Sequence, residues 1–340
     1  MLPYGWNDRW AALAEQAGGV GAVVGRVVRH DSSALMLAQP DGIAQVSLRP
    51  GTEAVAVGDW VIVASALAGP ALAGPVLTRT SLLRRAHPDG GEQLLAANVD
   101  LVVIVAGLDR PVKTNRIQRT VTLAADAGAT PLVVLSKSDL ADDVEKAVES
   151  VKVANPDVDV IAISSTDGCG LDELRSRIKQ RTIVLMGESG AGKSTLTNAL
   201  VGSPVAATGA VRAGDAKGRH TTTSRELHLG EDASVIIDTP GLRAVGVWTD
   251  PATVAASFSD VAELAECCRF RDCHHDGEPG CSVLAAAASG ALAKARVEAF
   301  RALAQEALAI EVRAQADARR RPEARGPRRS HQAQRHKGKR

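Results

Sequence analysis

The stretch GESGAGKS at residues 187–194 decides the fold of this chain, because it fits the phosphate-loop pattern G-x-x-x-x-G-K-[ST]. The apolar run TIVLM precedes it, and the helical run STLTNALV follows it. In such a loop, backbone N–H groups converge on the β-phosphate, the lysine reaches the β and γ oxygens, and the serine hydroxyl ligates Mg²⁺. We predict nucleotide contacts from Gly187, Glu188, Ser189, Gly190, Ala191, Gly192, Lys193, Ser194 and Thr195, with Lys193 also catalytic.

A second metal-binding element follows at IIDTPG, residues 236–241. Asp238, at the end of a predicted strand, can hold Mg²⁺ through water, and the Gly241 N–H can meet a γ-phosphate. Between the two elements, GRHTTTSREL at 218–227 offers three threonines, of which Thr222 is our choice to close over the metal; Thr221 and Thr223 are the alternatives. We interpret these stretches as switch II and switch I of a nucleotide hydrolase.

The run LSKSD at 135–139 resembles the guanine-recognition pattern N-K-x-D at the end of a strand. The Asp139 carboxylate would accept hydrogen bonds from guanine N1 and N2, and the Lys137 stem would cover the ring beside Ser138. Adenine lacks those donors and would leave a buried carboxylate unpaired, so GTP is the predicted substrate. A further loop, ISSTDGCGLDEL at 163–174, would bring Ser164, Ser165 and Thr166 to the guanine O6 edge.

Ser136 stands where the guanine pattern has asparagine. Its side chain is shorter, which raises the question of whether it still reaches the base and the phosphate-loop backbone. The expected consequence is weaker nucleotide binding rather than a change in the preferred base.

These elements stand in an unusual order, because the base loop precedes the phosphate loop. In a Ras-like GTPase the strand and helix that lead to the base loop follow switch II, whereas here they begin the domain at NVDLVVIVAG, residues 98–107. A circular permutation restores the order: the original ends are joined through RIKQRTIV at 177–184, and new ends open after switch II. Switch II then runs directly into the C-terminal region, which a γ-phosphate could reposition.

Hydrophobic patterning predicts three types of structure along the chain. Short β-type runs broken by turn signals, among them GPALAGP at 69–75, predict a small barrel or sandwich between 21 and 82, after a helix capped by Asn7 or Asp8. From residue 97, strands alternate with helices, which is typical of a parallel sheet covered on both faces. We expect strands near 99–106, 131–135, 158–163, 182–187, 224–229 and 233–237, and helices near 112–127, 141–154, 171–180 and 193–201.

The third region, from about residue 251, is helical and rich in alanine around a cysteine and histidine cluster. The spacing Cys268-x₄-Cys273-x-His275-x₅-Cys281 supplies three thiolates and one imidazole, enough for a closed structural Zn²⁺ site. Cys267 and His274 are adjacent alternatives, and ordinary free thiols are the competing interpretation. Later in the region Val297, Phe300, Leu303, Ala304, Ala307 and Leu308 predict one packing face of a helix.

Composition limits the class of protein. With 340 residues, 45% of them hydrophobic, the chain can form two or three units with buried cores. Its most apolar stretch, LVVIVAGL at 101–108, is too short to span a bilayer, so we expect a soluble cytoplasmic protein. Residues 319–340 hold ten Lys or Arg against one Glu, which predicts a disordered tail that can meet polyanions or that only aids solubility.

The permuted order, the motifs GRHTTT and DTPG, and the cysteine cluster together resemble the RsgA (YjeQ) family of GTPases that depend on the small ribosomal subunit. The resemblance covers about residues 20–310 and implies a multidomain fold. It predicts an N-terminal arm at 1–20, an OB-fold β-barrel at 21–82, a linker at 83–96, a permuted P-loop GTPase domain at 97–246, a helical zinc-binding domain at 247–318, and a basic tail at 319–340.

The resemblance also implies a function: late maturation of the small ribosomal subunit, with GTP hydrolysis stimulated by that subunit. The implied partners are the small subunit, its rRNA and GTP or GDP, and the implied cofactors are one structural Zn²⁺ and the Mg²⁺ that accompanies GTP. We expect a monomer. Trp60 is the only aromatic residue in the β-region, so base stacking is poorly supplied there, and we expect Arg26, Arg29 and Arg49 to contact rRNA phosphates unless they are ordinary surface charges.

Leu242 occupies the position after DTPG where many GTPases place the glutamine that orients the attacking water. Slow intrinsic hydrolysis is the expected result. His220 in switch I is our catalytic candidate, positioning that water once the ribosome orders the loop; a solvated switch histidine is the alternative. Two rival functions stay open: an RNA-binding assembly scaffold with a vestigial nucleotide site, and an ATP-using P-loop enzyme, against which Asp139 argues.

Overall fold

The computed structural model describes residues 2–31, 33–48, 53–64, 71–86, 92–206, 225–238 and 251–320. Several residues predicted to act lie outside these ranges: His220, Thr221, Thr222 and Thr223 in switch I, Gly241 and Leu242 in switch II, and Arg49 in the barrel. Of the basic tail, Arg319 and Arg320 alone fall within them, as the end of a helix.

The N-terminal arm lies against the β-region. After a short 3₁₀ helix at Leu2–Tyr4, helix α1 spans Asp8–Gly18, and the Asn7 side chain caps it by accepting a hydrogen bond from Trp10 N at 3.3 Å. Trp10 is buried and its ring centroid lies 5.8 Å from that of Trp60. The arm therefore covers the end of the β-region that contains Trp60.

Five strands form a closed barrel with the OB-fold strand order. Strand β1 (Val24–Asp31) pairs antiparallel with both β2 (Ala34–Gln39) and β4 (Trp60–Ala64). Strand β3 (Gly42–Ser47) pairs antiparallel with β2 and parallel with β5 (Leu72–Val76), which closes the barrel on β4. The buried side chains of Val27, Leu35, Leu37, Val46 and Val61 fill it.

Strand β5 was not expected, because four of its five residues, 72–75, belong to the stretch GPALAGP that we interpreted as a turn. Gly74 explains the difference. A Cβ atom at this position would lie 2.9 Å from the Ile62 carbonyl oxygen, so a glycine allows β5 to approach β4. Glycine and proline in this segment mark a close strand pairing rather than a turn.

Residues 83–96, predicted as a linker, instead carry most of an antiparallel hairpin. Strand β6 spans Leu82–Ala86 and pairs with β7 at Glu92–Ala97. Leu83 and Leu95 are buried, so the hairpin contributes to the core. Only regular strand pairing lets this polar stretch bury two leucines with its backbone satisfied.

The central sheet has the order β10-β9-β8-β11-β13-β12. Its first five strands are parallel and β12 is antiparallel to β13. The strands are β8 (Leu101–Gly107), β9 (Thr130–Ser136), β10 (Asp159–Ala162), β11 (Thr182–Gly187), β12 (Glu226–Leu229) and β13 (Val235–Asp238), and the helices are α2 (Thr114–Asp126), α3 (Val144–Ala154), α4 (Leu171–Ile178) and α5 (Lys193–Val201). All ten predicted elements are present.

The barrel and the central sheet form one continuous sheet, because β12 also pairs with β1 through Arg29 and Glu226. Arg26 lies at this junction and is buried, so the prediction that it contacts rRNA is wrong. Its guanidinium donates to Gly58 O, Asn98 O and Thr182 Oγ1 at 3.0–3.4 Å, and also to Tyr4 O. Arg29 is half-exposed and ion-paired with Asp31 and Glu226.

The C-terminal region is helical. Helices α6 (Pro251–Ser257), α7 (Ser259–Glu266), α8 (Ser282–Ser289) and α9 (Lys294–Arg320) follow in order, and α6 and α9 pack against α2. The predicted face of α9 is buried at Val297, Leu303 and Ala307, but Leu308 is 54% exposed and does not belong to it. Among the helices described, we find none with the length and apolar character to cross a bilayer.

Candidate nucleotide site and metal centre

The phosphate loop joins β11 to α5 through three glycines with positive φ: Gly187 at 151°, Gly190 at 79° and Gly192 at 87°. A Cβ atom on Gly187 would lie 2.1 Å from the Val105 carbonyl oxygen of the neighbouring strand, so only glycine fits there. Such backbone turns the loop's N–H groups toward a common point at the start of α5, which is the geometry that binds phosphate.

Lys193 and Ser194 begin helix α5. The Lys193 ammonium donates to the carbonyl oxygens of Gly187 and Glu188 at 2.8 and 2.7 Å, so it lies over the loop. Burial lowers the pKa of Lys193, and the nearby Asp238 carboxylate opposes this shift. Asp238 ends β13, which runs parallel and next to β11, so the lysine, Ser194 and the carboxylate meet at one edge of the sheet.

This edge has donors that suit GTP and Mg²⁺. The hydroxyl of Ser194 and the carboxylate of Asp238 are hard oxygen ligands of the kind that Mg²⁺ prefers, with room for waters and phosphate oxygens. The residues present therefore fit the metal. The third predicted ligand, Thr222, lies outside the described residues, as do His220 and Gly241. Thr195 is exposed on the first turn of α5.

Ser136 ties the base loop to the phosphate loop. It is buried at the end of β9, and its hydroxyl donates to the Ala191 carbonyl oxygen at 2.6 Å. The serine therefore does reach the phosphate-loop backbone, which answers the question that its shorter side chain raised. The reason is the close approach of the two loops: a Cβ atom on Gly192 would lie 3.5 Å from Ser136 Oγ. Whether position 136 also reaches the base stays a prediction.

Lys137 makes a second link between the same loops. Its backbone is left-handed, with φ 60°, and its ammonium donates to the Gly190 carbonyl oxygen at 2.7 Å. The same ammonium lies 2.9 Å from the Asp109 carboxylate, which also accepts a hydrogen bond from Arg110 at 2.8 Å. Hydrogen bonds from Arg110 and from Lys137 hold the pKa of Asp109 well below its usual range. The lysine stem is thus fixed beside the phosphate loop.

Sequence reasoning missed Asp109 and Arg110. They follow directly after β8, and Arg110 Nη2 would lie 3.3 Å from a Cβ atom on Gly190. The available signal was their position: a charged pair at the carboxyl end of a strand next to the phosphate-loop strand lies where ligands of open α/β sheets bind.

The remaining base-side residues divide into exposed and structural ones. Asp139 lies in a 3₁₀ turn at Ser138–Leu140 and is exposed, and the Ser138 N–H donates to Ile163 O at 3.0 Å. Ser164 is fully buried, and its hydroxyl accepts from the Thr166 N–H at 3.2 Å. It therefore shapes the loop from within, while Ser165 is half-buried and Thr166 exposed.

Two basic residues missed in the sequence hold Glu188 of the phosphate loop. Arg116 of α2 forms an ion pair with the Glu188 carboxylate, and Lys113 lies 3.7 Å from it. Together with Arg110 and apolar side chains of β8 and α2, they border a cavity of about 570 Å³ beside the loop. The phosphate loop is therefore braced from α2 as well as from the base loop.

The four predicted zinc ligands come together. Their ligand atoms all lie within 4.8 Å of one another, with His275 Nδ1 at 3.3–3.7 Å from the three sulfurs and 3.8 Å between the sulfurs of Cys268 and Cys281. A tetrahedral Zn²⁺ with ordinary bond lengths places its sulfurs about 3.8 Å apart and sulfur about 3.6 Å from nitrogen. The cluster therefore fits Zn²⁺, whereas Cys267, His274 and Cys169 are exposed outside it.

The loop that carries His275 is braced around the cluster. The Glu278 carboxylate accepts hydrogen bonds from the N–H groups of His274 and Asp276 at 2.8 and 2.7 Å. Hydrogen bonds from the backbone N–H of Glu278 itself and from those of Asp276 and His274 lower the pKa of Glu278 to about 2. The His275 ring packs 6.0 Å from Phe300 of α9, so the cluster is joined to the long C-terminal helix.

Comparisons with known proteins agree with this geometry. A family model described as "RsgA GTPase" matches residues 76–248. The small ribosomal subunit biogenesis GTPase RsgA of Streptomyces coelicolor is 43% identical over 328 residues, covering 94% of this chain and 90% of that protein.

Two solved structures share the fold. The crystal structure of YjeQ from Thermotoga maritima superposes with a TM-score of 0.64 and 27% identity, covering 84% of this chain and 98% of that one. YloQ, described as a circularly permuted GTPase, gives 0.59 and 20%, covering 90% and 98%. The chain belongs to the RsgA family of circularly permuted GTPases, and it is an enzyme that hydrolyses GTP.

Proposed function

We propose that this GTPase acts in late maturation of the small ribosomal subunit, that the subunit stimulates its hydrolysis of GTP, and that the nucleotide state is relayed to the zinc-binding region. The observation that carries the proposal is the joining of the base loop to the phosphate loop by Ser136 and Lys137. A site that no longer bound nucleotide would not need this double link. The name of the Streptomyces coelicolor relative supports the choice of partner.

In this proposal Asp139 selects guanine and Lys137 covers the base, with Ser136 and Ser138 supporting the loop and Ser164, Ser165 and Thr166 bordering the O6 edge. Residues 187–195 bind the phosphates. Mg²⁺, held by Ser194, Thr222 and Asp238, would neutralise charge that develops on the phosphate oxygens. Lys193 stabilises the same charge, His220 positions the attacking water, and Gly241 meets the γ-phosphate. Cys268, Cys273, His275 and Cys281 hold a structural Zn²⁺.

The relay can use helix α2 in addition to switch II. Arg116 on α2 holds Glu188 of the phosphate loop, and Arg119, one turn later, pairs with Glu306 of α9 at 2.8 Å. A shift of the phosphate loop on hydrolysis would therefore act on α9, and through Phe300 on the zinc cluster. The ion pairs at the two ends of this route, Arg116 with Glu188 and Arg119 with Glu306, lie near the surface and can exchange partners at a small cost in free energy.

The test is hydrolysis of GTP and of ATP by the purified chain, alone and with added small or large subunits. We expect turnover of GTP that small subunits alone stimulate, and stimulated turnover that His220→Ala abolishes while GTP binding is retained. Binding of small subunits without stimulation would instead indicate an assembly scaffold with a weak nucleotide site. Equal use of ATP would contradict the role of Asp139.

A further inference from the structure

A pair of arginines outside the nucleotide site lies where the hairpin meets the strand that follows switch I. Arg225 is the first described residue after the segment 207–224, five positions beyond His220. Its guanidinium donates to the Leu94 carbonyl oxygen of β7 at 3.2 Å. Arg85 of β6 lies opposite Gln93 and donates to Gln93 Oε1 at 2.9 Å. Because Gln93 and Leu94 are neighbours, the two guanidiniums share one corner of the hairpin.

The charges of Arg85 and Arg225 also influence each other, as expected from their hydrogen bonds to the neighbouring residues Gln93 and Leu94. Burial lowers the pKa of Arg225, and the charge of Arg85 lowers it further. His30 of β1 borders the pair: burial lowers the pKa of His30, Asp31 opposes this, and Arg225 adds to it. Arg225, at the end of switch I, is therefore near enough to Arg85 of the hairpin and to His30 of the barrel for their charges to interact.

Four carboxylates of the described residues near this corner are bound to other arginines. Glu92 and Asp126 lie 3.2 and 3.6 Å from Arg84, and Asp31 and Glu226 lie 3.2 and 3.6 Å from Arg29. Within the part of the chain that the structure describes, Arg85 and Arg225 donate to neutral oxygens and form no ion pair. Each guanidinium has five N–H donors, so within the described residues most of theirs are left for a ligand.

Two half-buried like charges without a carboxylate between them are unfavourable unless an anion joins them. Phosphate is the anion that a guanidinium fork matches best, since two parallel N–H groups bind two of its oxygens. Each phosphodiester of an RNA chain brings this group, and one or two such contacts leave the rest of the RNA to bind elsewhere.

We propose that Arg85 and Arg225, bordered by His30, form a binding site for a backbone phosphate of RNA. The inference rests on the proposed function and deepens it. Arg225 is covalently continuous with switch I, so a phosphate bound there fixes one end of the segment that carries His220. Binding of the subunit would in this way reach the hydrolytic site without any contact to the nucleotide.

The test uses the full chain, purified small ribosomal subunits and a single-stranded 20-nucleotide RNA as probes. The variants are Arg85→Gln, Arg225→Gln and the double change; glutamine at 225 can keep the hydrogen bond to Leu94. Arg84→Gln is the matched control, because it removes a neighbouring arginine whose charge is already balanced. Thermal unfolding checks that each variant folds.

We expect the double variant to bind small subunits about ten-fold more weakly, with a salt dependence whose slope is smaller by roughly one per lost phosphate contact. The stimulation of GTP turnover at saturating subunit should fall with it, whereas Arg84→Gln should behave as the wild-type chain. Wild-type binding, salt slope and stimulation in the folded double variant would overturn the inference.

Two further outcomes separate the proposals. If inorganic phosphate binds the wild-type chain and not the double variant, while subunit and RNA binding are equal in both, the site takes free phosphate and the inference is wrong. If the wild-type chain neither binds nor responds to small subunits, the proposed function fails; the 20-nucleotide RNA then decides the phosphate site by itself.

Discussion

A buried arginine lies at each junction between the GTPase domain and its two neighbours. The two guanidiniums differ in the acceptors of their hydrogen bonds. Arg26 at the barrel side donates to Gly58 O, Asn98 O, Thr182 Oγ1 and Tyr4 O, all of them neutral, with its guanidinium 5.4 Å from the Trp60 ring. Arg296 at the C-terminal side donates to Ala154 O and Ser257 O but also to the carboxylate of Asp260 at 2.8 Å.

This difference in acceptors indicates which of the two junctions is the more rigid. Burial lowers the pKa of Arg26 to about 10, against the attraction of Asp100 and Asp59. Its acceptors come from four separate segments, and Thr182 begins the phosphate-loop strand. Asp260 is 34% exposed, so the partner of Arg296 can turn to water. We therefore expect the barrel to move as one body with the phosphate loop, and the zinc region to be the part that can shift.

Removal of zinc should have the largest effect, and it should affect the C-terminal region without affecting the barrel. Structural Zn²⁺ contributes on the order of 10 kcal/mol to small metal domains, so a strong chelator should unfold the region around α7 and α8 and leave the barrel folded. Circular dichroism should report lost helix, while the fluorescence of Trp6, Trp10 and Trp60 stays native. Cys267→Ser is the control and should keep its zinc. A barrel that unfolds together with the cluster would contradict the separation of the two junctions.

Arg26→Met is expected to have the next largest effect. The change removes the arginine donor from Asn98 O, Thr182 Oγ1 and Tyr4 O and leaves Gly58 O with its hydrogen bond from Asn98 Nδ2, which costs about 2–4 kcal/mol of the free energy of unfolding. Urea denaturation measures it. Arg26→Lys keeps the charge but not the fork, and we expect it to recover less than half of the loss. Wild-type stability of the methionine variant would show that the junction is held by its apolar contacts alone.

These two arginines also show how far the sequence can be read. The motifs predicted the permuted sheet, the phosphate loop and the zinc ligands, because their residue types are required by local geometry at fixed spacing. Arg26 was misassigned because its burial depends on segments from positions 4 to 182 meeting at one point. No local pattern carries that information.

Contacts between separate segments also explain the two stretches of the fold that were predicted wrongly. Residues 72–75 of GPALAGP belong to a strand because Gly74 meets β4, and the two strands β6 and β7 of the supposed linker pair with each other while burying Leu83 and Leu95. Ser136 reaches Ala191 because two loops 55 residues apart lie side by side. Each depends on a distance between chain segments, whereas the sequence shows only composition and period.

Arg296→Met should lower the free energy of unfolding by about 1–2 kcal/mol. This loss is smaller than the one expected for Arg26→Met, because Asp260 can be hydrated once its partner is gone. Introducing Asp260→Asn into the wild-type chain and into the Arg296→Met variant completes a double-mutant cycle, which measures the coupling between the two side chains in the free energy of unfolding. If the two changes add without coupling, the ion pair contributes nothing and the carbonyl contacts of Arg296 hold the junction.

The smallest effect is expected at Arg119 and Glu306, the ion pair between α2 and α9. Their side chains are 32% and 24% exposed, so a double-mutant cycle with alanine should give a coupling of about 0.5 kcal/mol in the unfolding free energy. The informative measurement repeats the cycle with GDP and with a non-hydrolysable GTP analogue. A coupling that differs between the two nucleotides means that α9 senses the phosphate loop through α2, since Arg116 on the same helix holds Glu188. An equal coupling leaves switch II as the route to the zinc region, because α2 then transmits no difference between the nucleotide states.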